Sequence, residues 1–244
     1  MNKKNILFLL LLLFNGCDNS NAPDFFKSVG KEVSKTIYFD NLITLLNVKD
    51  AFDVYLVKDT IDYITITCGE NLIDKIDAKL SDEHTIELTN ENEFRIVRNY
   101  NGIPQAEVHY KTITNVYAYG SAKVVSKDTI DIERYVFTER VGELDVIVKS
   151  PQIIVNVWFG TGNYKVRGVC NDFYTEPRYS SIINAEELIV NNAHIDTYSS
   201  GNVYVNPQDS LIANIYWTGD IIYQGNPFVK LIEKQGKGKI INKQ

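Results

Sequence analysis

One short segment recurs along the second half of this chain. Six copies align: Tyr119-Gly120-Ser121-Ala122-Lys123-Val124, Val141-Gly142-Glu143-Leu144-Asp145-Val146, Phe159-Gly160-Thr161-Gly162-Asn163-Tyr164, Arg178-Tyr179-Ser180-Ser181-Ile182-Ile183, Tyr198-Ser199-Ser200-Gly201-Asn202-Val203 and Tyr216-Trp217-Thr218-Gly219-Asp220-Ile221. Their starts lie 18 to 22 residues apart. The last position is apolar in every copy, and positions two to four favour Gly, Ser and Thr. A unit of about 20 residues cannot bury an apolar face alone, so successive units must stack and share one. Small residues at a fixed position let the backbones of successive coils approach at a corner. The expected fold is all-β: a right-handed β-helix, or β-solenoid, with repeats of about 20 residues. A meander or sandwich of hairpins explains alternation but not the recurring apolar column.

The first half shows period-two alternation without the repeat. Strands are expected over 51–57, 63–68, 72–80, 85–89 and 106–110, with turns at 81–84 and 99–102 and a helical turn or two within 71–76. This part reads as β-rich and continuous with the solenoid. The boundaries read from the sequence are 1–16, 17–35, 36–112 and 113–244.

The first of these segments is a targeting signal. Lys3 and Lys4 precede an unbroken apolar run from Ile6 to Phe14, the charged and apolar regions of a secretory signal peptide. The run is about half the roughly 20 residues that a membrane-spanning helix needs. It ends in Phe14-Asn15-Gly16-Cys17, which resembles a bacterial lipobox although Phe14 and Asn15 depart from its strictest form. That resemblance implies cleavage before Cys17 and acyl chains on its sulfur and amine, the alternative being an ordinary signal peptide with an incidental cysteine. Each buried methylene contributes about 0.8 kcal/mol, so two or three chains hold a protein on a bilayer. Residues 18–35 begin polar and carry Pro23, as a flexible tether does. The chain is expected to be exported and lipid-anchored to the cell envelope at the outer membrane, on its periplasmic or surface face. Its net charge of −6 argues against nucleic acid as a partner.

Several segments carry a family likeness: Phe39-Asp40-Asn41-Leu42, the strand around Phe52-Asp53-Val54, Gly69-Glu70-Asn71-Leu72 leading into Ile76-Asp77-Ala78-Lys79-Leu80, the repeated small-residue corners, and the closing Gly219-Asp220-Ile221 and Gly236-Lys237-Gly238 stretches. In their order and spacing, from about residue 36 to 241, they resemble the "putative auto-transporter adhesin, head GIN domain" family of exported β-helical proteins. The resemblance implies a β-helix and a role in adhesion, and supplies no catalytic residues. Tyr119, Phe159, Tyr198 and Tyr216 stand where the family usually places serine, and Tyr179 and Trp217 where it places glycine.

These departures form the main candidate site. Tyr119, Phe159, Tyr198 and Tyr216 fall at one repeat position, with Trp158, Tyr179 and Trp217 beside it. Coils stack at about 4.8 Å, so the rings are expected to form a ladder along one edge. Such a ladder either seals the edge or offers a platform for a glycan or an envelope protein. Asp128, Asp131, Glu133, Glu139, Glu143 and Asp145 are read as a solvated acidic face; paired carboxylates in a cleft would instead run glycoside hydrolysis or hold calcium. Cys68 and Cys170 are read as buried thiols rather than a disulfide, and His84, His109 and His194 lack metal-ligand spacing. No cofactor or metal is expected. The function read from the sequence is non-catalytic and adhesin-like, with a β-helical carbohydrate-active enzyme and a structural envelope component as the rivals.

Overall fold

The computed structural model describes residues 29–92, 102–138 and 141–243. The expected signal peptide, Cys17, most of the tether, Glu139 and most of the turn at 99–102 lie outside the described residues. Among the described residues seventeen strands form one continuous wound sheet. They are β1 (Glu32–Phe39), β2 (Leu45–Val48), β3 (Phe52–Lys58), β4 (Asp62–Gly69), β5 (Ile76–Asp82), β6 (Thr85–Asn90), β7 (Gln105–Tyr110), β8 (Asn115–Ala118), β9 (Ala122–Ile130), β10 (Arg134–Phe137), β11 (Val141–Val157), β12 (Thr161–Tyr179), β13 (Ile182–Ser199), β14 (Val203–Ile215), β15 (Ile221–Tyr223), β16 (Phe228–Lys234) and β17 (Ile240–Asn242). β1 starts inside the stretch whose composition reads as tether. The helical turn expected within 71–76 is a single 3-10 turn, Ile73–Lys75, so the strand expected over 72–80 starts only at Ile76.

From β8 onward each turn of chain lays its strands parallel on the turn before, which makes a β-solenoid. The apolar column of the repeat is its core. The register aligns Val54, Val124, Leu144, Tyr164, Ile183, Val203 and Ile221, all buried. Full burial of such side chains is worth about 1.5–3 kcal/mol each, so the stack is the main source of stability. The second copy differs from the sequence alignment. Leu144, not Val146, opposes Val124 and Tyr164. Both residues point inward from one strand, and a slip of two preserves that orientation.

The small residues form a second column at the corner: Ala122, Gly142, Gly162, Ser181, Gly201, Gly219 and Gly238. A Cβ on Gly162 would lie 1.9 Å from the Gly142 carbonyl oxygen, and one on Gly219 2.1 Å from that of Gly201. The corner is therefore too tight for side chains at these positions, and carbonyls of one coil occupy the space beside the next. Gly142 also leaves room for the edge-on contact of Phe137 with Tyr164, whose ring centroids are 4.7 Å apart.

The N-terminal end is threaded out of chain order. β2 lies between β6 and β8, and β3 between β7 and β9, so the coil made of β6 and β7 sits outside one that precedes it in sequence. Antiparallel strands then close this end: β5 on β6, β4 on β7 and β1 on β4. A solenoid needs such a terminal unit, because an open coil exposes core and unpaired backbone.

Candidate ligand-binding edge

The aromatic residues sit beside the small-residue corner, but in two columns rather than one. The first column runs Lys49, Tyr119, Thr138, Trp158, Arg178, Tyr198 and Tyr216. Phe159 stands in the second, with Tyr179 and then, past the buried Ser199, Trp217. The corners after Phe137 and Val157 are one residue longer than those after Ala118, Pro177, Thr197 and Ile215. That extra residue displaces Phe159 by one position, which alignment on Phe159-Gly160 misses.

The two columns differ in exposure, with Trp158 as the exposed ring of the first. In the first, Lys49 Nζ lies 4.0 Å from the Tyr119 ring centroid, and the Arg178 guanidinium 4.7 Å from that of Tyr198. Tyr198 and Tyr216 stack with centroids 4.3 Å apart and planes 7° from parallel. The Tyr216 hydroxyl donates to Glu233 Oε2 at 2.9 Å. These half-buried rings are occupied with one another and with neighbouring charges, and they tie adjacent coils together. Trp158, Phe159, Tyr179 and Trp217 are 40, 61, 56 and 58% exposed. Phe159 and Tyr179 lie 6.0 Å apart, tilted by 38°, as an open apolar pair.

Tyr179 has a φ of 60°, and no other non-glycine among the described residues has a positive φ. The left-handed region disfavours a residue with a Cβ, by roughly 1–2 kcal/mol. Serines hold the strained backbone. The Ser200 N–H and hydroxyl both donate to the Tyr179 carbonyl, at 2.6 and 3.1 Å. The Ser181 hydroxyl donates to the Arg178 carbonyl at 2.8 Å. Glycine would adopt this conformation freely. A strained, bulky, exposed aromatic at such a corner is the kind of outlier that marks a functional surface.

Among the described residues the acidic side chains take separate partners. Asp131 pairs with Lys58 at 2.6 Å and accepts the Tyr110 hydroxyl at 3.0 Å, Asp145 pairs with Arg167, Glu143 lies 3.7 Å from Lys123, and Asp128 is exposed. Among the described residues no group of three or more His, Cys, Asp or Glu side chains is placed to hold a metal ion. Cys68 and Cys170 are both buried and free. Burial raises both thiols, Cys170 to about 12, where nearby Asp172 adds to the effect. His84 and His194 lie apart, but His109 belongs to a cluster that the sequence does not disclose. Its Nδ1 is 2.8 Å from Asp59 Oδ2, its Nε2 is 2.8 Å from Glu107 Oε1, and Tyr63 stacks on its ring. The register between β4 and β7 creates that cluster.

Parallel coils closed by antiparallel strands at one end define the chain as a β-solenoid protein. The chain belongs to the family described as "Putative auto-transporter adhesin, head GIN domain", which it matches over residues 44–227. Among solved structures it is similar to a putative adhesin from Bacteroides fragilis, with 18% identity, 87% of this chain and 97% of the other covered, and a TM-score of 0.76. A putative lipid binding protein from Parabacteroides distasonis aligns at 18% identity over 88% and 98% of the two chains, with a TM-score of 0.63. A putative adhesin from Parabacteroides merdae aligns at 19% identity over 88% and 97%, with a TM-score of 0.58. At these identities the likeness establishes a shared fold. No curated protein matches the sequence. Among the described residues no helix is long and apolar enough to cross a membrane.

Proposed function

We propose that this chain is an exported lipoprotein of the cell envelope, held to the outer membrane by acyl chains on Cys17, and that it works as a non-catalytic, adhesin-type binding module. Its ligand surface is the exposed aromatic edge of Trp158, Phe159, Tyr179 and Trp217, and the partner is an extended envelope or extracellular glycan. The observation that carries this reading is Tyr179, a large exposed ring kept in a strained conformation that glycine would adopt freely. The spacing agrees. Trp217 stands two coils beyond Tyr179, an interval of about 10 Å, comparable to the disaccharide step of an extended polysaccharide. The anchor fits the fold as well, since the described chain enters at the capped end, where Gly30 packs against Glu70, and the edge extends away from it.

Two experiments test this. Metabolic labelling with palmitate should mark the wild-type chain and not Cys17→Ser, and the variant should leave the membrane fraction. An unlabelled wild-type chain overturns the anchor. Glycan and protein arrays probed with the full chain should show glycan capture that falls at least tenfold when Trp158, Phe159 and Trp217 are changed to Ser and Tyr179 to Gly. Capture of protein alone replaces the glycan by a protein partner, and no capture at all favours a structural envelope component.

A further inference from the structure

Three outward-facing rows of side chains cross the N-terminal sheet. The register of β1, β4 and β7 places Tyr38, Tyr63 and His109 in one row, Thr36, Thr65 and Glu107 in the next, and Ser34, Thr67 and Gln105 in the third. The middle row continues to Tyr55 on β3. The first row is a run of rings, with centroids 5.5 Å apart from Tyr38 to Tyr63 and 4.1 Å from Tyr63 to His109. The neighbouring rows carry short hydroxyl side chains on β1 and β4. Rings beside threonines leave a groove of about 410 Å³, walled by Tyr63 and Tyr55, floored by Thr65 and Thr67, and flanked by Glu107 and Lys127.

The polar groups of this groove are held in place. Glu107 Oε1 faces His109 Nε2 at 2.8 Å, and its Oε2 accepts from Lys127 Nζ at 3.2 Å. The other nitrogen of His109 faces Asp59 Oδ2 at 2.8 Å. The His109 ring therefore bridges the two carboxylates, one at each nitrogen. The Glu107 carboxylate is thus pinned from two sides, with its remaining lone pairs free to accept. Lys127 Nζ also lies 5.6 Å from the Tyr55 ring centroid, which fixes it over the end of the groove.

We propose that this groove is a carbohydrate subsite that takes one pyranose ring of a neutral oligosaccharide. A pyranose offers apolar C–H faces and a rim of hydroxyls that both donate and accept. The groove offers aromatic walls for the first, and a fixed carboxylate, an ammonium, two threonine hydroxyls and the Gln105 amide for the second. A few placed polar groups among rings are the usual composition of a small-ligand site, and the volume falls within the usual range of about 300–1,000 Å³. The charge balance selects a neutral sugar. His109 and Lys127 already occupy the oxygens of Glu107 and Asp59 at hydrogen-bond distance, which leaves no unpartnered carboxylate for a cation, while two carboxylates beside the groove disfavour an anion. The groove lies on the N-terminal sheet, apart from the aromatic edge, and its occupancy does not depend on what that edge binds.

Saturation-transfer NMR on the full chain in detergent, with cellohexaose, chitohexaose and mannohexaose as probes, tests the assignment. Transfer to ring protons of at least one probe is expected. Thr65→Trp, which fills the groove from an outward strand position, and Glu107→Gln, which removes the pinned charge without changing size, should each weaken binding at least tenfold. Every chain in this comparison also carries Trp158→Ser, Phe159→Ser, Tyr179→Gly and Trp217→Ser, so that the aromatic edge contributes nothing to the transfer. The proposal is overturned if none of the three sugars receives transfer in this background, or if transfer survives Thr65→Trp. Should Thr65→Trp not fold, judged by its circular dichroism, Glu107→Gln decides.

Discussion

The backbone N–H of Ser200 donates to the carbonyl oxygen of Tyr179 at 2.6 Å, so the residue opposite the next corner holds Tyr179 in its left-handed conformation. Tyr179→Gly should therefore raise unfolding stability by about 1 kcal/mol while removing the exposed ring. Tyr179→Ala keeps the strained φ and should show no such gain. Urea unfolding of the two variants separates strain from packing; equal midpoints would mean that the backbone is not strained.

Gly162 should be intolerant of any side chain. Its Cβ would lie 1.9 Å from the Gly142 carbonyl oxygen, so Gly162→Ala must push two coils apart and should destabilise by about 3 kcal/mol. Gly102→Ala is the control, because its Cβ would approach nothing nearer than Leu72 Cδ1 at 3.7 Å. Thermal unfolding should show a large loss for the first and almost none for the second.

The His109 cluster predicts a stability limb on the acid side. The backbone N–H of Thr60 and then His109 hold Asp59 below its usual carboxylate range, and the His109 hydrogen bond, followed by Lys127, does the same for Glu107. A carboxylate whose folded pKa is depressed stabilises the fold above its unfolded value of about 4 and loses that contribution as pH falls through the folded value. His109→Phe keeps a ring for Tyr63 to stack on and removes both hydrogen bonds. The wild type should lose more stability than this variant between pH 6 and pH 3, scanned by urea unfolding, and parallel curves would refute the linkage. The effect is modest, because both carboxylates are solvent-accessible.

Burial makes the thiols of Cys68 and Cys170 slow to react. In a Cys17→Ser background, Ellman's reagent should titrate no thiol in the native protein and two in guanidinium chloride. Rapid labelling without denaturant would show that one of these residues is accessible.

Much of the architecture was legible because it rests on local, repeated chemistry. An apolar residue and a small residue that recur together every 20 residues or so can be satisfied only by stacking, and the structure stacks them. The aromatic candidates stood out because they occupy positions where glycine or serine fits the corner better. The His109 cluster left no such trace. Tyr63, Glu107 and His109 are unremarkable strand residues until β4 pairs antiparallel with β7.

By itself the sequence determined the all-β class, the coil length, the apolar core column and the small-residue corner. Each follows from side-chain size and polarity at a fixed spacing. Only the tertiary structure decided that Leu144 rather than Val146 joins the core column, that Phe159 falls in the second aromatic column, and that β6 and β7 sit outside β2 and β3. In each case the deciding feature leaves no mark on the hydrophobic pattern. A strand has period two, so a slip of two residues leaves every side chain on its proper face. An added corner residue changes no hydrophobic pattern. The order in which coils stack is set by backbone hydrogen bonds, which every residue but proline can make in either direction.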